Sequence, residues 1–350
     1  MRIAILAPPY LPVPPKQYGG TERIVSLLTE ELVNRGHDVT LFASSDSVTS
    51  AKLVSVVGNA LGNDGTKKTS ALLPLLHIRE CFRHEKEFDL IHNHAQYLSL
   101  FLAEHASIPV VHTWHGSYYE GEVPEEKRQV LRTFKDQKFI SISNNQQLGM
   151  PELSYMGTVY NGLSLRDYPF HETSGNYLLW VGRITEKKGP LVAIKTAKTL
   201  GIPIKMAAAI DPIDQPYFDT VIKPELDSSA VSFVGEISQR YMAELYGNAI
   251  ATLYPVTWHE PFGLVMIESM ASGTPVVAYN MGAVPEIVED KKTGFVIPKE
   301  EGIEGLVHAC QSIHTISRLA CRQKVEQQFT VNAMVDSYEA IYQRLISYVS

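Results

Sequence analysis

Short apolar runs alternate with amphipathic stretches from the first residue onward. RIAILA (2–7) reads as a strand, a helix pattern follows from about Thr21 to Arg35, and DVTLFA (38–43) reads as a second strand. This is a βαβ opening, the signature of a parallel sheet with crossover helices. Within the helix, Ile24, Leu27, Leu28 and Leu32 fall on one face, and Gly36 stops it as a C′ glycine does. Further strands are expected at LVSVV (53–57), LIH (90–92), PVVHT (109–113), FISIS (139–143) and TVYNG (158–162). The polar, aperiodic stretch SLRDYPFHETSGN (164–176) then reads as an interdomain linker. A second series begins with YLLWVGR (177–183) and runs through IKMAAAI (204–210), VSFVG (231–235), ATLYPV (251–256), PVVAY (275–279) and GFVIP (294–298). The pattern predicts an α/β chain of two doubly wound domains, residues 1–163 and 164–334. The last amphipathic stretch, about Val331 to Tyr348, is long enough for a helix, and 335–350 is assigned to complete the N-terminal domain.

Composition agrees with two folded domains. A length of 350 residues suits two cores better than one, and 45% apolar with 20% charged residues is ordinary for a globular chain. A net charge of −7 supplies no global field toward nucleic acid, which is not an expected partner. Cys81, Cys310 and Cys321 are widely spaced with no CxxC, which fits a reducing compartment and no structural zinc. Pro8 and Pro9 cut the first apolar run short of a signal-peptide core, and no run approaches the roughly 18 apolar residues that cross a bilayer. A cytoplasmic protein with at most peripheral membrane contact is expected. LLPLLHIRECFRHEKEF (72–88) mixes apolar and basic residues as a peripheral helix does, although such a stretch is more often an ordinary core helix.

Ligands of doubly wound domains bind beyond the carboxyl ends of the strands, so the loops there carry the candidate chemistry. In HEPFGLVMIES (259–269), Pro261 holds Glu260 extended, and a helix is expected to start near Phe262. Pro261 and Gly263 at that start leave backbone N–H groups open to an anion. Glu268 then lies about five residues inside, ~7.5 Å along the axis. Taken singly, Glu260 is an ordinary loop carboxylate and Glu268 an ordinary exposed helix residue. VGRITEKKG (181–189) offers a second anion site, with Arg183 able to bind bidentately and Lys187 and Lys188 adding point charges before Gly189. The plain alternative is a solvated basic loop. PPKQYGGTE (14–22) runs through a Gly-Gly turn into a helix but lacks GxGxxG, so a dinucleotide is weakly indicated. His92 and His94, with His112 and His115, have spacings that could serve zinc. Two histidines on one strand face have simpler uses, however, and no metal is expected. No DxD sequence occurs to call for a magnesium-bound donor.

The ordered set YGGTE (18–22), HTWHG (112–116), YNG (160–162), GRITEKKG (182–189) and HEPFGLVMIESMASGTPVVA (259–278), followed by PEIVEDKKTGF (285–295), resembles the retaining glycosyltransferases of family four. That family has the GT-B architecture, two Rossmann-like domains facing a central nucleotide-sugar cleft. The resemblance covers nearly the whole chain. Its most specific parts are Glu-x7-Glu, met by Glu260 and Glu268, and Arg-x4-Lys, met by Arg183 and Lys188.

The resemblance implies a retaining transfer of a sugar from a nucleotide-sugar, UDP-linked by preference, to an acceptor hydroxyl. Arg183 and Lys188 would neutralise the diphosphate, Glu268 would bind the ribose, and Glu260 would meet the donor sugar hydroxyls. The backbone N–H groups of Phe262, Gly263, Leu264 and Val265 would help hold sugar and phosphate. His115 would reach the donor sugar from the N-terminal, acceptor-side domain, and Gly20 would approach the diphosphate from the same side. Gly235, Glu236 and Ile237 in GEISQ (235–239) would lie near the base. Fixed cations suit a reaction that develops negative charge on the leaving oxygen. Retention by a covalent intermediate needs two carboxylates about 5 Å apart. The family is associated instead with front-face displacement, so Glu260 is not assigned as a nucleophile. The acceptor would be a carbohydrate, a lipid-linked group or a small molecule, with no cofactor. Two other readings stay open: a nucleotide-sugar epimerase of the same architecture, and a module that binds nucleotide-sugars without turnover.

Overall fold

The computed structural model of the chain describes residues 1–16, 19–63, 71–95, 97–227 and 229–347. Tyr18 of the YGGTE motif, Gln17 before it and Tyr348 at the end of the last amphipathic stretch lie outside the described residues. The chain forms two compact units, Met1–Gly162 with Val331–Ser350, and Leu163–Thr330.

Among the described residues, unit 1 holds the strands β1 (Arg2–Leu6), β2 (Asp38–Phe42), β3 (Lys52–Val54), β4 (Leu90–Asn93), β5 (Val110–Thr113), β6 (Lys138–Ser141) and β7 (Tyr155–Thr158). They form one parallel sheet in the order β3-β2-β1-β4-β5-β6-β7. Ile3 to Leu6 are fully buried, as expected of a parallel strand covered on both faces. The first crossover helix, Gly20–Asn34, buries Ile24, Val25, Leu28 and Leu32. It ends at Gly36, whose φ of 83° turns the chain so that the His37 N–H reaches back to the Leu32 carbonyl at 3.1 Å. The C-terminal helix Val331–Ser347 packs in the same unit. Arg35 holds it there, with Nη1 2.6 Å from both Asp336 and Glu339.

Two strands fall elsewhere than the apolar runs suggest. β3 is Lys52–Val54 rather than 53–57, because the Ser55 hydroxyl donates to the Val57 carbonyl and accepts from its N–H, curling the chain off the ladder. β7 is Tyr155–Thr158 rather than 158–162. Val159 still donates to the Ser141 carbonyl at 2.8 Å, but by Gly162 the backbone N–H has turned to the Met334 sulfur, 3.3 Å away.

Unit 2 contains β8 (Tyr177–Arg183), β9 (Ile204–Ala209), β10 (Val231–Gly235), β11 (Ala249–Tyr254), β12 (Val276–Tyr279) and β13 (Gly294–Ile297). These too are all parallel, in the order β10-β9-β8-β11-β12-β13. The strand order reverses between β8 and β11, as it does between β1 and β4 in unit 1, and such switch points are where open α/β sheets take ligands. Among the described residues, no helix is long and apolar enough to cross a membrane.

The stretch expected to be a linker is packed into unit 2. Tyr168 is buried at 2% exposure, and the His171 N–H donates to the Ser272 carbonyl at 3.1 Å. The guanidinium of Arg318, at the start of helix Arg318–Gln328, donates to the carbonyls of His171 (2.8 Å), Ala249 (3.0 Å) and Gly247 (2.6 Å) and to the Thr274 hydroxyl (2.8 Å). Three elements thus share one fork of donors. Arg318→Ala would leave those acceptors without it, and we expect unit 2 to lose about 2–4 kcal/mol. Arg318→Lys should recover only part, since an ammonium lacks the planar fork. Urea unfolding followed by tryptophan fluorescence checks both, and an unchanged midpoint in Arg318→Ala would refute the role.

Candidate active site

The loops that leave β8 and β11 meet beside the switch point of unit 2. After β8 a 3-10 turn, Glu186–Lys188, leads through Gly189 into helix Pro190–Leu200. Gly189 adopts φ 68°, and a Cβ there would stand 2.2 Å from the Pro255 carbonyl oxygen. Only glycine lets the two backbones come so close. Thr257 N–H donates to the Lys187 carbonyl at 2.9 Å and the Trp180 indole to that of Lys188 at 3.1 Å, which sets the lysine backbone.

Glu260 is the centre of this meeting. Its side chain is 7% exposed, and its Oε2 accepts from Lys188 Nζ at 2.5 Å, the Tyr254 hydroxyl at 2.7 Å and the Trp258 indole at 3.1 Å. The Lys188 ammonium also stands 4.9 Å from the centre of the Trp258 ring and 5.7 Å from that of Tyr254. All three donors converge on one oxygen, and Oε1 has no hydrogen-bond partner among the described residues. The backbone of Glu260 is held as tightly: Ala283 N–H donates to its carbonyl at 2.8 Å, and a Cβ on Gly282 would lie 2.2 Å from its nitrogen.

The helix expected to start near Phe262 starts at Leu264 and runs to Ala271. Gly263, with φ 87°, is its N-cap and cannot be helical, while Phe262 turns inward onto Phe329 at 6.0 Å between ring centres. Leu264 and Val265 occupy the first turn, where backbone N–H groups have no intrahelical acceptor. Glu268, one turn on, is buried and belongs to a different network. Its Oε1 accepts from the Tyr168 hydroxyl at 2.8 Å and its Oε2 from the Tyr246 hydroxyl at 2.9 Å.

Arg183, the last residue of β8, is not joined to Lys188. Its Nε lies 3.0 Å from Asp214, and the side chain is 45% exposed. Gly235 ends β10 with φ 71°, Glu236 is exposed and Ile237 half-buried. Tyr254, Trp258, Tyr168, Tyr246 and Asp214 were not singled out from sequence. Tyr254 and Trp258 had a signal, as aromatics at a strand end within six residues of Glu260. Tyr168 stands 100 residues from its carboxylate and had none.

In unit 1, Gly20 opens the first helix behind Gly19, where a Cβ would lie 2.7 Å from that of Pro15. Glu22 in its first turn is buried, which pushes its carboxyl up to about 7. His115 is half-buried, its Nε2 2.9 Å from Nδ1 of His94. His92 spends Nδ1 on the Tyr342 hydroxyl (2.6 Å) and Nε2 on the Thr113 hydroxyl (2.7 Å), while His112 Nδ1 meets the Asn93 amide at 2.9 Å. Among the described residues no group of three or more His, Cys, Asp or Glu side chains is placed to hold a metal ion.

Burial lowers the pKa of His77, His92 and His94, and takes those of His112 and His115 down to about 4. Below an unfolded value of about 6.5, the unfolded chain binds protons that the folded unit refuses, so stability is complete above that pH and lost as it falls toward 4. Each such histidine contributes at most about 1.4 kcal/mol per pH unit in that window. Glu22 acts oppositely, since its raised pKa makes the folded state the better proton binder between about 4.5 and 7. We therefore expect unit 1, read by Trp114 fluorescence, to unfold at markedly lower urea at pH 5 than at pH 7. Equal midpoints would contradict the neutral state of these rings.

Known proteins resemble the chain in both units. Residues 165–327 match the family described as "Glycosyl transferases group 1", and residues 18–145 match "Glycosyltransferase Family 4". Glycogen synthase of Mycobacterium tuberculosis is 26% identical, over 89% of this chain and 86% of its own. Phosphatidyl-myo-inositol mannosyltransferase of Mycolicibacterium smegmatis is 25% identical, over 86% and 82%. Among solved structures, sucrose-phosphate synthase of Thermosynechococcus elongatus superposes with a TM-score of 0.82 at 19% identity, covering 99% of this chain and 100% of that one. An Anabaena protein solved with UDP and glucose superposes with a TM-score of 0.76 at 18% identity, again covering 99% and 100%. These likenesses establish the GT-B fold.

Proposed function

We propose that this chain, a glycosyltransferase of the GT-B type, moves a sugar from a UDP-linked donor to an acceptor hydroxyl with retention of configuration. The observation that carries the reading is the half-used carboxylate of Glu260. One oxygen is saturated by Lys188, Tyr254 and Trp258, and the other is left for a ligand beside a fixed ammonium at the β8/β11 switch point. A sugar hydroxyl donates to Oε1, while the diphosphate takes up Lys188 and the N–H groups from Phe262 to Val265. Departure of the nucleoside diphosphate develops negative charge there, and a cation already in place stabilises it without reorganisation.

Arg183 turns from Asp214 to the second phosphate, Glu268 takes the ribose, and Gly235, Glu236 and Ile237 border the base. Gly20 and His115 serve diphosphate and sugar from unit 1. The acceptor oxygen enters on the face the leaving group vacates, so no covalent intermediate on Glu260 is required. The choice of UDP draws on the Anabaena protein solved with UDP and glucose. The relatives named as a glycogen synthase and a mannosyltransferase act on different acceptors, so a carbohydrate, a lipid-linked group or a small molecule remains the acceptor class. The chain works without a divalent metal, in the cytoplasm or at a membrane surface.

Thermal shift and hydrolysis with UDP-, GDP-, ADP- and dTDP-sugars should single out the UDP series, because a bound donor raises the midpoint by linkage. Release of sugar from the nucleotide separates transfer from epimerisation, which leaves the two joined. Lys188→Ala should lower kcat/KM about 10²–10³-fold and Arg183→Ala somewhat less. Glu268→Ala should chiefly raise the donor KM, since ribose contacts hold ground and transition states alike. Undiminished turnover in Lys188→Ala would overturn the assignment. Turnover should also survive excess EDTA, and a loss restored by added magnesium would refute the metal-free mechanism.

A further inference from the structure

We propose that His94 is a positioning residue that fixes the tautomer of His115, placing its proton on Nδ1 so that His115 presents a hydrogen-bond donor and not a basic nitrogen. This rests on the reading that His115 meets the donor sugar. His94 follows β4 directly and is 2% exposed. Its Nδ1 lies 2.9 Å from His115 Nε2, and the two rings meet edge to edge with their planes near-parallel and their centres 5.2 Å apart. Burial keeps both imidazoles neutral at neutral pH, so each carries one proton and only one nitrogen of the contact can donate.

The other end of His94 decides which. Its Nε2 is buried with no hydrogen-bond partner among the described residues. A proton there would be a buried N–H without an acceptor, the rarer and costlier kind of orphan. The proton of His94 therefore sits on Nδ1 and is donated to His115 Nε2. His115 must then carry its own proton on Nδ1, which has no partner among the described residues.

The His94 ring is itself held in place. It packs 4.0 Å from His92, two residues back on the same strand face. His92 in turn is pinned between the Tyr342 hydroxyl of the C-terminal helix and the Thr113 hydroxyl of β5. A sugar hydroxyl can accept from the fixed N–H of His115. A general-base role through Nδ1 is ruled out by the same tautomer.

The test is long-range 1H–15N correlation on the full chain labelled with 15N-histidine at pH 7. His115 should appear as the Nδ1–H tautomer in the wild type and lose it in His94→Phe. His94→Asn puts an amide N–H where Nδ1 stood and should restore the tautomer. With whichever UDP-sugar turns over, His94→Phe should lose about tenfold in kcat/KM, the size of one hydrogen bond. His94→Asn should regain part of it, and His94→Phe combined with His115→Ala should be no worse than His115→Ala alone. An Nε2–H tautomer in wild-type His115, or an Nδ1–H form that persists in His94→Phe, would overturn the proposal. The wild-type spectrum decides it even if His94→Phe fails to fold. Full turnover in His115→Ala would instead sink the sugar contact and leave the tautomer result standing.

Discussion

A carboxylate cannot be buried without its charge being met, and in unit 2 that constraint falls on Glu260. Its Oε2 is met by one ammonium and two neutral donors from two loops, so the ion pair with Lys188 ties the end of β8 to the end of β11. Buried pairs of this kind contribute little net stability but are costly to break, because either charge alone would be stranded. The glycines around the pair follow from it. Gly189 lets the β8 loop come against Pro255, and Gly282 lets the β12 loop come against the Glu260 backbone. Aromatic rings border the ammonium and keep it oriented for an incoming anion.

Unit 1 meets the same need for buried polar groups without charge. Four histidines at the ends of β4 and β5 are held neutral by burial and hydrogen-bond to hydroxyls, an amide and one another, with Nε2 of His94 and of His112 left over among the described residues. Neutral rings can pass a preference from one to the next through which nitrogen holds the proton. A chain of that sort sets direction where the lysine of unit 2 sets charge. The two units thus share a parallel-sheet architecture and differ in the chemistry they place at its carboxyl edge.

Much of the fold was legible in the chain because buried parallel strands are written as continuous apolar runs. YLLWVGR is β8 residue for residue, and VSFVG is β10. Errors arose where a side chain far away or a local hydroxyl took over a backbone group. Ser55 ended β3 early, and the pull of Met334 on Gly162 moved the chain out of the sheet after β7. The segment 164–176 read as a linker since it has no apolar period. What packs it includes a buried tyrosine, backbone N–H groups donated to the Ser272 and Asn248 carbonyls, and carbonyls claimed by Arg318 and by Arg322, none of which leaves a pattern in sequence.

Taken alone, the sequence determined the two βα series, the loops that carry charge after their strands, and the turn at Pro261 and Gly263, all of which depend on neighbours a few residues apart. Tertiary structure decided the pairings. It gave Lys188 to Glu260 and Arg183 to Asp214, and set Glu268 between two tyrosines, one of them 100 residues away. It also chose which oxygen of Glu260 is spent and which nitrogen of His94 is left over. Local preference fixes where a side chain starts along the chain. Which partner it meets depends on how separately encoded strands and helices come together, because a hydrogen bond is satisfied by distance and angle and not by sequence spacing.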